Sequence, residues 1–195
     1  MWEKGEKYLS KDKYIGPLIK KYGPCKIRPS KKKDYFLDLV DAIVSQQLSG
    51  KVAKTIFQRV KLGLKEVTPK NILKTPDSKF RKWGLSRQKI SYVKDLADKV
   101  LKKEVKIDKL DKLPDEEVAR ELILVKGIGR WTAEMFLMFS LARPDVFPID
   151  DLGIQKGITK LLKRRVSSQK IGKFAERWKP YRSLAAWYIW EIVDN

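Results

Sequence analysis

The stretch Leu122-Ile123-Leu124-Val125-Lys126-Gly127-Ile128-Gly129-Arg130-Trp131-Thr132-Ala133 decides how this chain is read. One helix is expected to end near Val125 and another to start by Trp131. Between them, two glycines flank a single apolar residue. Glycine tolerates positive φ and lets the backbone approach a ligand closely. A helix beginning at such a turn offers amides that lack intrahelical partners, at its positive end, which suits a phosphate. Contacts of that kind hold the phosphodiester chain and read no sequence. A bare Gly-x-Gly more often marks an ordinary corner between two helices. The fuller string, with Trp-Thr-Ala opening the second helix in a basic chain, points instead to DNA.

The basic character is strong. Lys plus Arg number 44 and Asp plus Glu 24, so the 195 residues carry a formal charge of +20. Such a surface attracts polyanions, although a lysine-rich solvated face would give the same count. The length suits one large domain or two small lobes. The chain contains one cysteine, Cys25, and no histidine. That excludes an internal disulfide, a cysteine–histidine zinc site, a four-cysteine iron–sulfur cluster and any mechanism built on a histidine base. Carboxylates, lysine, tyrosine, hydroxyls and backbone amides are left to carry the chemistry. No transmembrane-length apolar run or signal peptide is visible, so a cytoplasmic location is expected, with the nucleoid if the source is prokaryotic; a monomer is expected.

Hydrophobic spacing is helical throughout. Tyr35, Phe36, Leu39, Val40, Ile43, Val44 and Leu48 share one face, and Val52, Ile56, Phe57 and Val60 another, with Gly63 as the expected stop. A third amphipathic run holds Ile90, Val93, Leu96, Ala97, Val100 and Leu101. A helix is expected after Pro114, with Asp115, Glu116 and Glu117 in its first turn. Others are expected over about 130–140, 151–163, 168–177 and 181–193. Residues 1–33 mix charges with Gly-Pro pairs, predict a short helix or two, and end in Lys31-Lys32-Lys33. Two-residue alternation is nearly absent, so the fold is expected to be all-α.

The hairpin stretch resembles that of the helix-hairpin-helix DNA glycosylase superfamily, and within it the 3-methyladenine DNA glycosylase II branch. Three further segments share the resemblance in the same order: Ala42-Ile43-Val44-Ser45-Gln46-Gln47-Leu48-Ser49, Phe147-Pro148-Ile149-Asp150-Asp151, and Glu176-Arg177-Trp178-Lys179-Pro180-Tyr181-Arg182-Ser183. The resemblance spans about residues 34 to 193. The resemblance implies a two-lobed fold with a cleft between lobes. Residues 34–140 would form the helical lobe ending in the hairpin. Residues 1–33 plus 141–195 would form the second, carrying the catalytic aspartate.

By position, the family's catalytic aspartate is Asp151, with Asp150 as the competitor. The chemistry agrees, because breaking a sugar–base bond builds positive charge on the sugar that an ionised carboxylate stabilises. From local sequence, an aspartate here is also the natural N-cap of the next helix, a role Asp150 could fill instead. Members that also cut the backbone carry a lysine soon after the hairpin glycines, where this chain has Trp131; a monofunctional glycosylase using water is implied. Gly127, Gly129, Arg130 and Thr132 would meet the DNA backbone. Trp131, Trp190, Met135 and Leu152 would line the base pocket, although core packing would equally explain the tryptophans, and Met135 and Leu152 stand where some relatives have tyrosines. The gap left by a flipped base would be filled by Gln47 or Leu48, with Leu85 or Arg87 contacting the opposite strand. A sodium or potassium ion on the carbonyls of Ile123, Val125 and Ile128 is implied by some family hairpins, with no other cofactor. The expected partner is damaged double-stranded DNA, the expected lesion an alkylated purine. Hypoxanthine or uracil as the lesion, and a non-catalytic DNA-binding protein, are the alternatives.

Overall fold

The computed structural model describes residues 2–30 and 34–194, all helix, turn and loop, with no strand among the described residues. The run Lys31-Lys32-Lys33 lies outside them. Two compact units result: residues 30–136 form one, and residues 1–29 with 137–195 form the other.

In the unit of residues 30–136, α3 (Tyr35–Ser45) starts at Asp34, whose carboxylate accepts the Leu37 N–H at 3.1 Å. Its apolar face is buried as the spacing predicts, through Leu39, Val40, Ile43 and Val44. Leu48 does not continue that face, because the helix stops at Ser45 and the chain turns. Helix α4 (Gly50–Leu64) packs on α3 through Phe57 and Val60. Gly63 does not end α4. A Cβ there would lie 2.1 Å from the Trp83 ring, so this glycine permits close packing, and the helix ends at Lys65, which turns left-handed at φ 63°. Two short helices, α5 (Pro69–Lys74) and α6 (Asp77–Trp83), bury Ile72 and Phe80 and lead into α7 (Arg87–Leu101). Helix α7 packs on α3, α5 and α6. A 3-10 segment at Ile107–Lys112 precedes α8 (Asp115–Ile123), which meets α9 (Arg130–Met135) through the hairpin.

In the other unit, α1 (Glu3–Leu9) and α2 (Ile15–Tyr22) pack on the C-terminal helix α12 (Arg182–Asp194). A π-helical turn, Phe136–Ser140, continues from α9 and runs into the loop before α10 (Leu152–Leu162). Helix α11 (Ser168–Ala175) and a 3-10 turn at Glu176–Trp178 lead into α12. The core here is Leu9, Ile15, Ile154, Ile158, Trp178, Tyr188 and Ile189. Helices α10 and α12 touch closely at Gly157, where a Cβ would meet Ile189 at 2.4 Å.

Candidate functional site

The hairpin is built from a sequence of tight turns. Helix α8 ends at Ile123, the Val125 N–H donates to the Leu122 carbonyl, and the Ile128 N–H donates to the Val125 carbonyl, each at 3.1 Å. Gly127 has φ 79°, and a Cβ on it would sit 2.1 Å from the Tyr92 ring, so backbone angle and packing both require glycine. Gly129 differs. Its φ is −98°, and a Cβ there would meet nothing within 4 Å. Its backbone faces open space at the N-cap of α9, where no side chain supplies a capping bond.

Two of the residues expected on the DNA backbone are redirected by the structure. The Arg130 guanidinium is clamped by both oxygens of Glu116 at 2.7 Å and by Glu134 at 3.2 Å. The Glu116 hydrogen bond foremost raises the guanidinium's pKa further, and Arg130 in turn holds the Glu116 carboxyl below its usual range. Arg130 therefore braces α8 against α9, and its charge is spent on carboxylates. Thr132 is 4% exposed, and its hydroxyl faces the Gln46 amide at 3.4 Å. The buried Thr132 side chain leaves its backbone amide for a phosphate, whereas the Arg130 side chain, braced by Glu116 and Glu134, is still 51% exposed. Trp131, 42% exposed, and the half-buried Met135 lie on the same short helix.

The turn after α3 adjoins the hairpin within the same unit. Gln46 has φ −50° and ψ 133°, Gln47 has φ 56°, and the Leu48 N–H donates to the Ser45 carbonyl at 3.2 Å. This is a type II β-turn with a glutamine where glycine or asparagine is favoured. Gln47 is exposed at its tip and Leu48 half-buried. The Gln46 amide donates to the Gly127 carbonyl at 2.7 Å, tying the turn to the hairpin. Between them opens a cavity of about 350 Å³ lined by Gln46, Gln47, Lys89, Tyr92, Gly127 and Trp131. Leu85 belongs elsewhere: it is 1% exposed, in the core beneath α6 and α7, so it cannot reach DNA as a wedge, whereas Arg87 is exposed. Nothing in the sequence marks Gln46, Tyr92 or Asp95, whose carboxylate accepts the Lys126 N–H, as hairpin supports. Their partners lie 81, 35 and 31 positions away, beyond any local pattern.

Asp151 is the N-cap of α10. Its Oδ1 accepts the Ile154 N–H at 2.8 Å and also the Trp190 indole N–H at 2.8 Å. The capping role thus falls to Asp151 itself, and Asp150 is an exposed neighbour outside the cap. Gly153 makes the indole contact possible, since a Cβ there would lie 2.8 Å from Trp190 and 2.9 Å from Asp151 Oδ1. Trp190 stacks on Phe139 with centroids 5.8 Å apart and planes at 29°, and Leu152 beside them is 69% exposed. Phe139 carried no sequence signal, because it stands in the unbroken apolar run 135–139. The loop before Asp151 is fixed to the start of α12: Arg182 Nε meets Asp145 at 2.8 Å, and the Ser183 hydroxyl accepts the Val146 N–H at 2.9 Å and donates to its carbonyl at 3.2 Å. The residues just before Phe147 are thus tied to the end of the segment that closes at Ser183.

No group of three or more acidic or cysteine residues among the described residues is placed to hold a metal. The Ile123, Val125 and Ile128 carbonyls all belong to the hairpin. Val125's already accepts one amide, and Ile123 ends a helix, where carbonyls lack intrahelical partners. Neutral carbonyls of this sort suit a monovalent cation. No helix among the described residues is long and apolar enough to cross a membrane.

The family described as "HhH-GPD superfamily base excision DNA repair protein" matches residues 40–181. DNA-3-methyladenine glycosylase 1 of Schizosaccharomyces pombe is 36% identical over 185 residues, covering 92% of this chain and 80% of that protein. The alkylbase DNA glycosidase-like protein mag2 of the same yeast is 30% identical over 199 residues, covering 98% and 93%. The solved structure of the S. pombe 3-methyladenine DNA glycosylase Mag1 in complex with abasic DNA superposes with a TM-score of 0.88 at 34% identity, covering 98% of this chain and 97% of that one.

Proposed function

Because the chain belongs to the HhH-GPD superfamily of base excision DNA repair proteins, we propose that it is a monofunctional DNA N-glycosylase that excises alkylated purines of the 3-methyladenine type from duplex DNA. The observation that carries this is the Asp151 carboxylate, fixed by two donors at 2.8 Å on one oxygen beside the stacked rings of exposed Phe139 and half-buried Trp190. A carboxylate whose rotamer is set in advance stabilises the positive charge that grows on the sugar as the C–N bond breaks, without reorganising during the reaction. The base departs neutral with the bonding electrons, and water adds to the sugar carbon and releases one proton to solvent. An alkylated purine already carries positive charge and leaves with little help from a general acid, which fits a chain without histidine. Trp131 occupies the position where a lyase would need an amine, so no Schiff base forms.

We assign base-contacting roles to Trp190, Phe139 and Leu152 beside Asp151, and to Trp131 and Met135 on α9. The amides that open α9 and the backbone of Gly127 and Gly129 hold phosphate, with a sodium or potassium ion on the Ile123, Val125 and Ile128 carbonyls. Gln47 enters the gap left by the flipped base. The strained turn favours it over the half-buried Leu48. The protein acts as a monomer in the compartment that holds the DNA. Chromatography of bases released from methylated duplex tests this. Free 3-methyladenine is the expected product. Release only from hypoxanthine or uracil duplexes would move the substrate, and release from none would leave a DNA-binding protein without catalysis.

A further inference from the structure

The end of α3 is tied off by a lysine from α7. Lys89 Nζ donates to the Val44 carbonyl at 2.6 Å and to the Gln46 carbonyl at 2.7 Å. Helix ends leave such carbonyls without intrahelical partners, and solvent ordinarily satisfies them. Here an amine does so, and desolvation lowers its pKa below the ordinary lysine value. No carboxylate pairs with it among the described residues. An ammonium that gives up hydration and gains no ion pair is held for its geometry.

That geometry bears on the turn. Gln47 sits left-handed at φ 56°, a conformation that is strained for a residue with a Cβ. Such strain persists where the surroundings over-determine it. Lys89 grips the Val44 carbonyl just before the turn and the Gln46 carbonyl at its centre, and the Gln46 side chain ties the same turn to the hairpin through Gly127. Helix α7 supports the hairpin from the same face. Tyr92 fills the space over Gly127, and the Asp95 carboxylate accepts the Lys126 N–H at 2.8 Å. Residues 89, 92 and 95 are spaced one turn apart.

We propose that Lys89 is a positioning residue for base extrusion, holding the Gln46–Gln47 turn in the strained form that presents Gln47 to the duplex. This rests on Gln47 being the wedge. Without Lys89 the turn relaxes toward conformations with negative φ at Gln47, and the wedge is no longer pre-set.

The test uses the full chain and a duplex with 2-aminopurine next to the lesion, whose fluorescence reports unstacking in stopped flow. Lys89→Met is expected to slow the unstacking phase at least tenfold while its Kd for undamaged duplex stays within about threefold of the parent. Lys89→Arg, which restores donors, is expected to recover most of the rate. Unstacking at the parent rate in Lys89→Met, with Gln47→Ala slow, overturns the proposal. So does a Lys89→Met variant that loses melting temperature, duplex affinity and unstacking together with no recovery in Lys89→Arg, since that is a folding defect. If Gln47→Ala unstacks at the parent rate, the wedge role itself fails and the proposal falls with it, by a distinguishable route.

Discussion

Replacing Gly127 and Gly129 one at a time by alanine separates folding from binding at the hairpin. At Gly127 the new methyl would lie 2.1 and 2.2 Å from the Tyr92 ring, on a backbone with φ 79°. The left-handed conformation costs alanine about 1–2 kcal/mol. Forcing Tyr92 aside costs about 1–3 kcal/mol more, as overpacking does elsewhere. Tyr92 cannot move without disturbing its hydroxyl contact with the Gln88 amide. The sum, about 2–5 kcal/mol, lowers the melting temperature by roughly 5–15 °C in a protein of this size. At Gly129 the methyl meets nothing within 4 Å, and φ −98° suits alanine. Only the weaker N-cap is felt, about 1 kcal/mol or less. If a phosphate sits against that backbone, the methyl displaces it and removes a bond worth about 1.5–3 kcal/mol, a loss of about 10–100-fold in affinity. Scanning calorimetry and fluorescence anisotropy with undamaged duplex at one salt concentration measure both. A Gly129→Ala variant that binds like the parent would refute the phosphate role of the hairpin. A Gly127→Ala variant that melts with the parent would refute the packing argument.

Trp190→Phe removes the indole donor to Asp151 but keeps a ring against Phe139, so single-turnover excision should fall about tenfold with duplex Kd unchanged, a fraction of the value of a bond to a charged group; an unchanged rate would mean that the cap bond alone sets the carboxylate. Borohydride added during turnover should trap no enzyme–DNA adduct, and a strong adduct would overturn the argument from Trp131. Glu116→Gln should destabilise in a pH-dependent way. Arg130 depresses the Glu116 pKa in the folded state, so the pair's contribution is present above the unfolded-state value of about 4.5 and disappears as pH falls through the folded-state value. The gap in melting temperature between parent and variant at pH 7 should therefore close in acid, and a gap independent of pH would contradict the clamp.

The long helices were legible because their apolar residues repeat at helical spacing and bury one face, as in α3 and α7. Helices α5 and α6 were not, being too short for a period to show. Gly63 was misread as a stop because a glycine that admits a tryptophan ring looks like one that ends a helix. Leu85 was misread because analogy with the family placed its loop against the opposite strand, while its side chain turns inward to the core. The hairpin was legible as a pattern, yet the pattern could not say that Gly127 answers to Tyr92 and Gly129 to open space. Nor could it show that Arg130 would be taken by Glu116, fourteen positions before it. Asp151 offered two roles in the sequence, cap and catalyst. The structure shows the cap, and shows it contributed by the same oxygen that the Trp190 indole holds.

The most direct measurement is base release from methylated duplex by Asp151→Asn under single-turnover conditions, alongside its duplex affinity. Asparagine keeps an oxygen for the Ile154 N–H and the indole, so folding and binding should match the parent while release falls by several orders of magnitude. Release at or near the parent rate would contradict the assignment of the carboxylate as the group that stabilises the departing sugar's charge.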